Sequence, residues 1–137
     1  MTERSTTLTI AGVAGIGLIH LLDSVDTFHE TRWLFWAYVL LMAATLVVSA
    51  ALLYAPGPRW LGAAALVALL PLAGYILSRT TGLPGADDDV GNWADPLGLA
   101  SLWVEGAVLA TSTAALALSP RRAPAPARPL TVGPLET

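Results

Sequence analysis

The sequence predicts an all-α, four-transmembrane-helix bundle with both termini cytoplasmic and a disordered C-terminal tail. Three observations predict it. Apolar residues make up 55% of the 137-residue chain and charged residues only 12%, against about a quarter charged in ordinary soluble domains. The apolar residues gather into four runs, each extendable to roughly 18 residues or more, the length that crosses a hydrocarbon core about 30 Å thick. The charges and prolines sit between and after those runs. The length suits one domain, expected over residues 1–118 with helices at about 5–25, 28–54, 58–78 and 96–118. Residues 119–137 are rich in Pro, Ala and Arg and have little to bury, which predicts a disordered cytoplasmic tail.

The first run, residues 8–22, is short for a span, and extending it to 5–25 makes it sufficient. A signal peptide is the competing reading, but no Ala-x-Ala site precedes a soluble domain. Ala11, Gly12, Ala14, Gly15 and Gly17 give this helix a face for close approach to a neighbour. Thr27-Phe-His-Glu30 has the spacing of a capping box, so the second helix is expected to begin near Thr27. It runs to Tyr54, with Trp33 and Trp36 at one interface and Tyr54 at the other.

The turn at residues 55–59 places Pro58 at the first position of the third helix, making helices two and three antiparallel neighbours. Pro71 predicts a kink, and Gly74, Ser78 and Gly82 recur every four residues, a second close-packing face if the helix persists that far. A polar loop follows, with Asp87, Asp88 and Asp89 in its middle. Asp95-Pro96 then starts the fourth helix as acidic cap and first-turn proline.

Arginine sets the orientation. Arg4, Arg59, Arg121, Arg122 and Arg128 fall on one side and only Arg32 and Arg79 on the other, so the former side is expected to be cytoplasmic. The outer side then collects Asp23, Asp26, Glu30, the Asp87–Asp89 run, Asp95 and both histidines.

The chemistry is expected there. The stretch from His20 to Arg32 carries His20, Asp23, Asp26, His29 and Glu30. Imidazole and carboxylate together suit a divalent metal ion, with His20, Asp23, Glu30 and Glu105 as candidate ligands and His29 a weaker one. The spacing matches no established metal motif, and a solvated connection is the plainer reading. Glu105 is sharper. Nine residues past Pro96, at about 1.5 Å per residue, it lies about 14 Å below the outer end. A charged group at that depth costs about 2.5–3.5 kcal/mol even on gentle scales, so it must face the bundle as ligand, proton relay or substrate anchor. The structural alternative is a protonated carboxyl bonded to Ser101, Thr45 or Ser49. His20 is its expected partner. Arg79 is expected to form a salt bridge to Asp87, Asp95 or Glu30, or else to contact an anion.

Gly17-Leu-Ile-His20-Leu and the segment Gly74-Tyr-Ile-Leu-Ser-Arg-Thr-Thr-Gly-Leu-Pro84 carry a resemblance. The chain resembles small, largely uncharacterised multi-pass membrane proteins of actinobacteria, which pair a Gly-Leu-x-His-Leu segment with a Gly-Tyr-x-Leu-Ser-Arg-Thr-x-Gly-Leu-Pro segment. It departs from them at Asp23-Ser-Val-Asp26-Thr, where a shorter Pro-containing link is usual, so the resemblance bears on His20 more than on His29. It implies no activity. Seven arginines without a lysine agree with a GC-rich bacterial source, and the bacterial cytoplasmic membrane is the expected location.

The leading functional expectation is a small integral membrane protein with an outward-facing His/carboxylate site near a buried Glu, binding a metal ion or relaying protons. One alternative is a non-catalytic accessory subunit packing against a larger membrane protein, or against copies of itself. Another is a membrane-embedded metal-dependent hydrolase, for which no motif speaks. Beyond a divalent metal ion no cofactor is expected. Haem is disfavoured, because bis-histidine ligation needs two facing histidines at matched depth. The lipid bilayer is the expected partner; nucleic acid is not.

Overall fold

The computed structural model describes residues 3–119. Four helices account for most of them: α1 (Glu3–Glu30), α2 (Arg32–Tyr54), α3 (Pro58–Thr80) and α4 (Pro96–Ala117). Each contains a stretch long and apolar enough to cross a bilayer, which in α1 is Arg4–Val25. Large apolar side chains point away from the bundle along those stretches. Leu40 is 71%, Leu46 72% and Trp103 78% exposed, an arrangement that water penalises and lipid does not. The chain is a small multi-pass membrane protein. The tail expected at 119–137 lies outside the described residues except for Ser119.

The bundle is two helical hairpins, α1–α2 and α3–α4, joined through an α1–α4 interface. Glycine allows the close approach. A Cβ on Gly12 would run into Val108 Cγ2 of α4, one on Gly15 would touch Val104, and one on Gly17 would come within 2.6 Å of Thr45 Oγ1 in α2. Val108 is itself buried in the core, so Gly12→Ala forces the α1–α4 interface apart. We expect it to cost about 1–3 kcal/mol, read as a lowered melting temperature in detergent. Wild-type stability would refute this packing.

The sequence expectations need correction at two places. Thr27 and Glu30 do not start α2. The Thr27 hydroxyl donates to the Asp23 carbonyl at 2.9 Å inside α1, and the chain reverses at Thr31, whose backbone is extended (φ −137°, ψ 91°). Gly74 and Gly82 do not form a packing face. A Cβ on Gly74 would meet nothing, and Gly82 lies beyond α3 with φ +78°. Helices α2 and α3 are the expected neighbours across their short turn, but they touch only sparsely. Their contacts with the core come from Val48 and Leu52 and from Leu61, Ala64, Val67 and Ala68, toward the end opposite the acids. Nearer the acidic end, α2 and α3 line a cavity instead.

Residues 81–95 close that acidic end. Gly82, Gly85 and Gly91 all take positive φ, conformations that glycine adopts without steric cost. They turn the loop back so that the Gly91 amide donates to the Arg79 carbonyl at 2.9 Å. Two hydrogen bonds fasten the loop to the other hairpin: Thr31 Oγ1 to the Gly85 carbonyl (2.9 Å) and Trp33 Nε1 to the Pro84 carbonyl (2.8 Å). Asp95 caps α4 as its sequence predicts, accepting from the Gly98 amide at 2.7 Å, with Pro96 next.

Candidate functional site

The cavity between α2 and α3 has a volume of about 810 Å³, within the range of small-molecule sites. Its wall toward the opposite end is apolar, formed by Leu41, Ala44, Val67, Leu70 and Pro71. Its acidic end is polar, with His20, Asp23 and Tyr38 on one hairpin and Tyr75, Arg79 and Ser101 on the other. Pro71 lies in an unbroken α3 and forms part of the wall.

His20 and Glu105 meet beside this cavity. Their helices are neighbours, and the depths match because each residue lies some ten positions in from the acidic end of its helix. His20 Nε2 is 3.8 Å from Glu105 Oε1, with side chains 7% and 0% exposed. His20 Nδ1 lies 3.0 Å from the Ile16 carbonyl. A carbonyl only accepts, so Nδ1 carries a proton and Nε2 turns its exchangeable position toward the carboxyl. The Tyr38 ring meets the His20 ring edge-on, centroids 4.8 Å apart, and restrains it. On the far side, the Ser101 hydroxyl donates to Glu105 Oε1 one helical turn away. Oε2 has no hydrogen-bond partner among the described residues. The pair is thus near enough to exchange a proton after a small approach or through one bridging water, but is not directly hydrogen-bonded as it stands.

Arg79 occupies the opposite wall. Nη1 is 2.6 Å from Asp89 Oδ2 and Nη2 is 3.6 Å from Asp95 Oδ2, while Cζ lies 4.9 Å from the centre of the Tyr75 ring. The bridge to Asp95 matches the sequence expectation. Asp87 and Glu30 are not its partners: Asp87 packs its carboxylate against Gly82, and Asp89 takes the place expected for it.

The candidate metal ligands disperse. His20, Asp23 and Glu30 all border the cavity, with Glu105 behind His20. His29 is exposed and stacks edge-on against Phe28, centroids 5.2 Å apart. Among the described residues no three His, Asp or Glu side chains converge in a way that holds a metal ion. Sequence reasoning passed over Tyr38, Tyr75 and Trp33 as cavity residues. Tyr38 carried a readable signal, because a reversal near residue 30 sets it opposite His20.

Further polar side chains are buried toward the opposite end. Thr9, Thr45 and Ser112 are buried, and the hydroxyls of Ser49 and Ser112 have no hydrogen-bond partner among the described residues. Ser112 is seven residues beyond Glu105, about 10 Å farther along α4.

No family model matches the chain, and neither the curated proteins nor the solved structures contain a significant match.

Proposed function

We propose that this protein relays protons, with His20 and Glu105 as the proton-carrying pair beside a cavity near the outer end of the bundle. The observation that carries this reading is the pair itself: two buried ionisable side chains 3.8 Å apart at a depth where lipid-facing ionisable groups are costly and therefore scarce. The cavity lies between the pair and the loop that covers the acidic end, whose outward direction follows from the arginine distribution. Thr45, Ser49, Ser112 and Thr9 supply hydroxyls toward the opposite end. A proton role asks only for two adjacent exchanging groups, whereas a metal role asks for a third converging ligand.

Reconstitution into liposomes tests it. Under an imposed pH gradient, wild-type protein should collapse the gradient measurably faster than empty vesicles. Glu105→Gln keeps the shape and hydrogen bonding of the side chain but carries no exchangeable acid, and should reduce the rate to that of empty vesicles. An unchanged rate in Glu105→Gln would remove Glu105 from any relay.

A further inference from the structure

We infer that the cavity takes a lipophilic organic cation, an amine or onium group on an apolar body, admitted from the bilayer between α2 and α3. The inference deepens the reading above by naming the occupant of the same cavity.

Access comes first. Leu40 and Leu70 both border the cavity, yet are 71% and 60% exposed. At about 1.5 Å per residue they lie about 12 and 15 Å from the acidic ends of α2 and α3. The mouth therefore opens sideways at hydrocarbon depth, while residues 83–95 cover the cavity from the aqueous side through Leu83, Ala86, Asp89 and Asn92. A ligand entering by this route partitions into lipid beforehand.

Charge comes second. Four carboxylates border the cavity, Asp23, Glu30, Asp89 and Asp95, against the single guanidinium of Arg79. Asp89 and Asp95 are engaged by Arg79. Neither Asp23 nor Glu30 has a salt-bridge partner among the described residues, and both stand on α1, across the cavity. Two aromatic residues, Trp33 and Tyr38, flank them on α2. Carboxylates beside aromatic rings recognise ammonium and onium groups by Coulomb attraction and by the ring quadrupole. An anion would have to displace Asp89 and Asp95 from Arg79 and sit beside two acids that form no salt bridge among the described residues. The apolar wall of Leu41, Val67, Leu70 and Pro71 accommodates the body of the ligand.

Tetraphenylphosphonium and tetraphenylborate are near-identical in shape and opposite in charge, which makes them the probes. Equilibrium binding to the full chain in nanodiscs should show saturable, stoichiometric uptake of tetraphenylphosphonium and none of tetraphenylborate. Asp23→Asn combined with Glu30→Gln should weaken the cation by about tenfold or more. Leu70→Trp, which fills the mouth and leaves every charge in place, should slow its entry. Size-exclusion profiles identify any variant that fails to fold. Equal binding of both probes, or cation binding unchanged in the double variant, overturns the inference in favour of a merely apolar groove. Absence of binding together with α2–α3 cross-linking between two copies overturns it in favour of a self-association face. If the cation does not bind but the liposome flux still depends on Glu105, this inference fails alone. If both are absent, the proton reading fails with it.

Discussion

Arg79→Ala should lower stability by about 2 kcal/mol and detach residues 81–95 from the end of the bundle. The guanidinium does three things at once: it reaches Asp89, reaches Asp95 and covers the face of Tyr75. Breaking a fully buried pair costs about 3–5 kcal/mol because a charge is left stranded. Here the acids are 49% and 34% exposed, so water resolvates them and the cost falls below that range. Arg79→Lys should recover only part of the loss, because an ammonium does not span two carboxylates and stack on a ring together. Thermal melting in detergent gives the stability change, and amide exchange at Gly91, which donates to the Arg79 carbonyl, reports the loop. Wild-type melting in Arg79→Ala would show that the two acids and the ring contribute nothing at this site.

The second large effect is the coupling between His20 and Glu105. Each single replacement removes one side of a close, buried pair: His20→Ala takes away the imidazole facing the carboxyl, and Glu105→Gln replaces the acid facing Nε2 with an amide. Residues in contact couple by about 0.5–3 kcal/mol, and at this burial we expect a value above 1 kcal/mol for His20→Ala with Glu105→Gln. Melting of the four proteins in one detergent measures it. Strict additivity would mean that the two side chains do not interact.

How much of this was legible in the sequence differs from residue to residue. The four spans and the Asp95-Pro96 start follow from local rules, namely apolar length and cap chemistry, which tertiary context does not override here. The meeting of His20 and Glu105 was also within reach, because depth along a helix is counted directly from its end. The end of α1 was not. Thr27-x-x-Glu30 is a valid capping pattern, but Thr27 instead bonds its own helix and the reversal moves to Thr31, whose hydroxyl is held by Gly85 from far along the chain. Arg79 pairing with Asp89 rather than Asp87 depends on three positive-φ glycines acting together, and residue type alone does not say which of three adjacent acids faces inward. The cavity was hidden for a related reason. A short turn implies adjacent helices, and only the assembled hairpins reveal that α2 and α3 part near the acidic end.

The central claim is that His20 and Glu105 act as one proton-carrying unit, and the measurement closest to it is gradient collapse in liposomes holding wild type, His20→Ala, Glu105→Gln and the double variant. Groups that act as a unit are non-additive in function. The account predicts that each single variant loses as much proton flux as the double variant does. Single losses that multiply in the double variant, or flux that survives without Glu105, would contradict it.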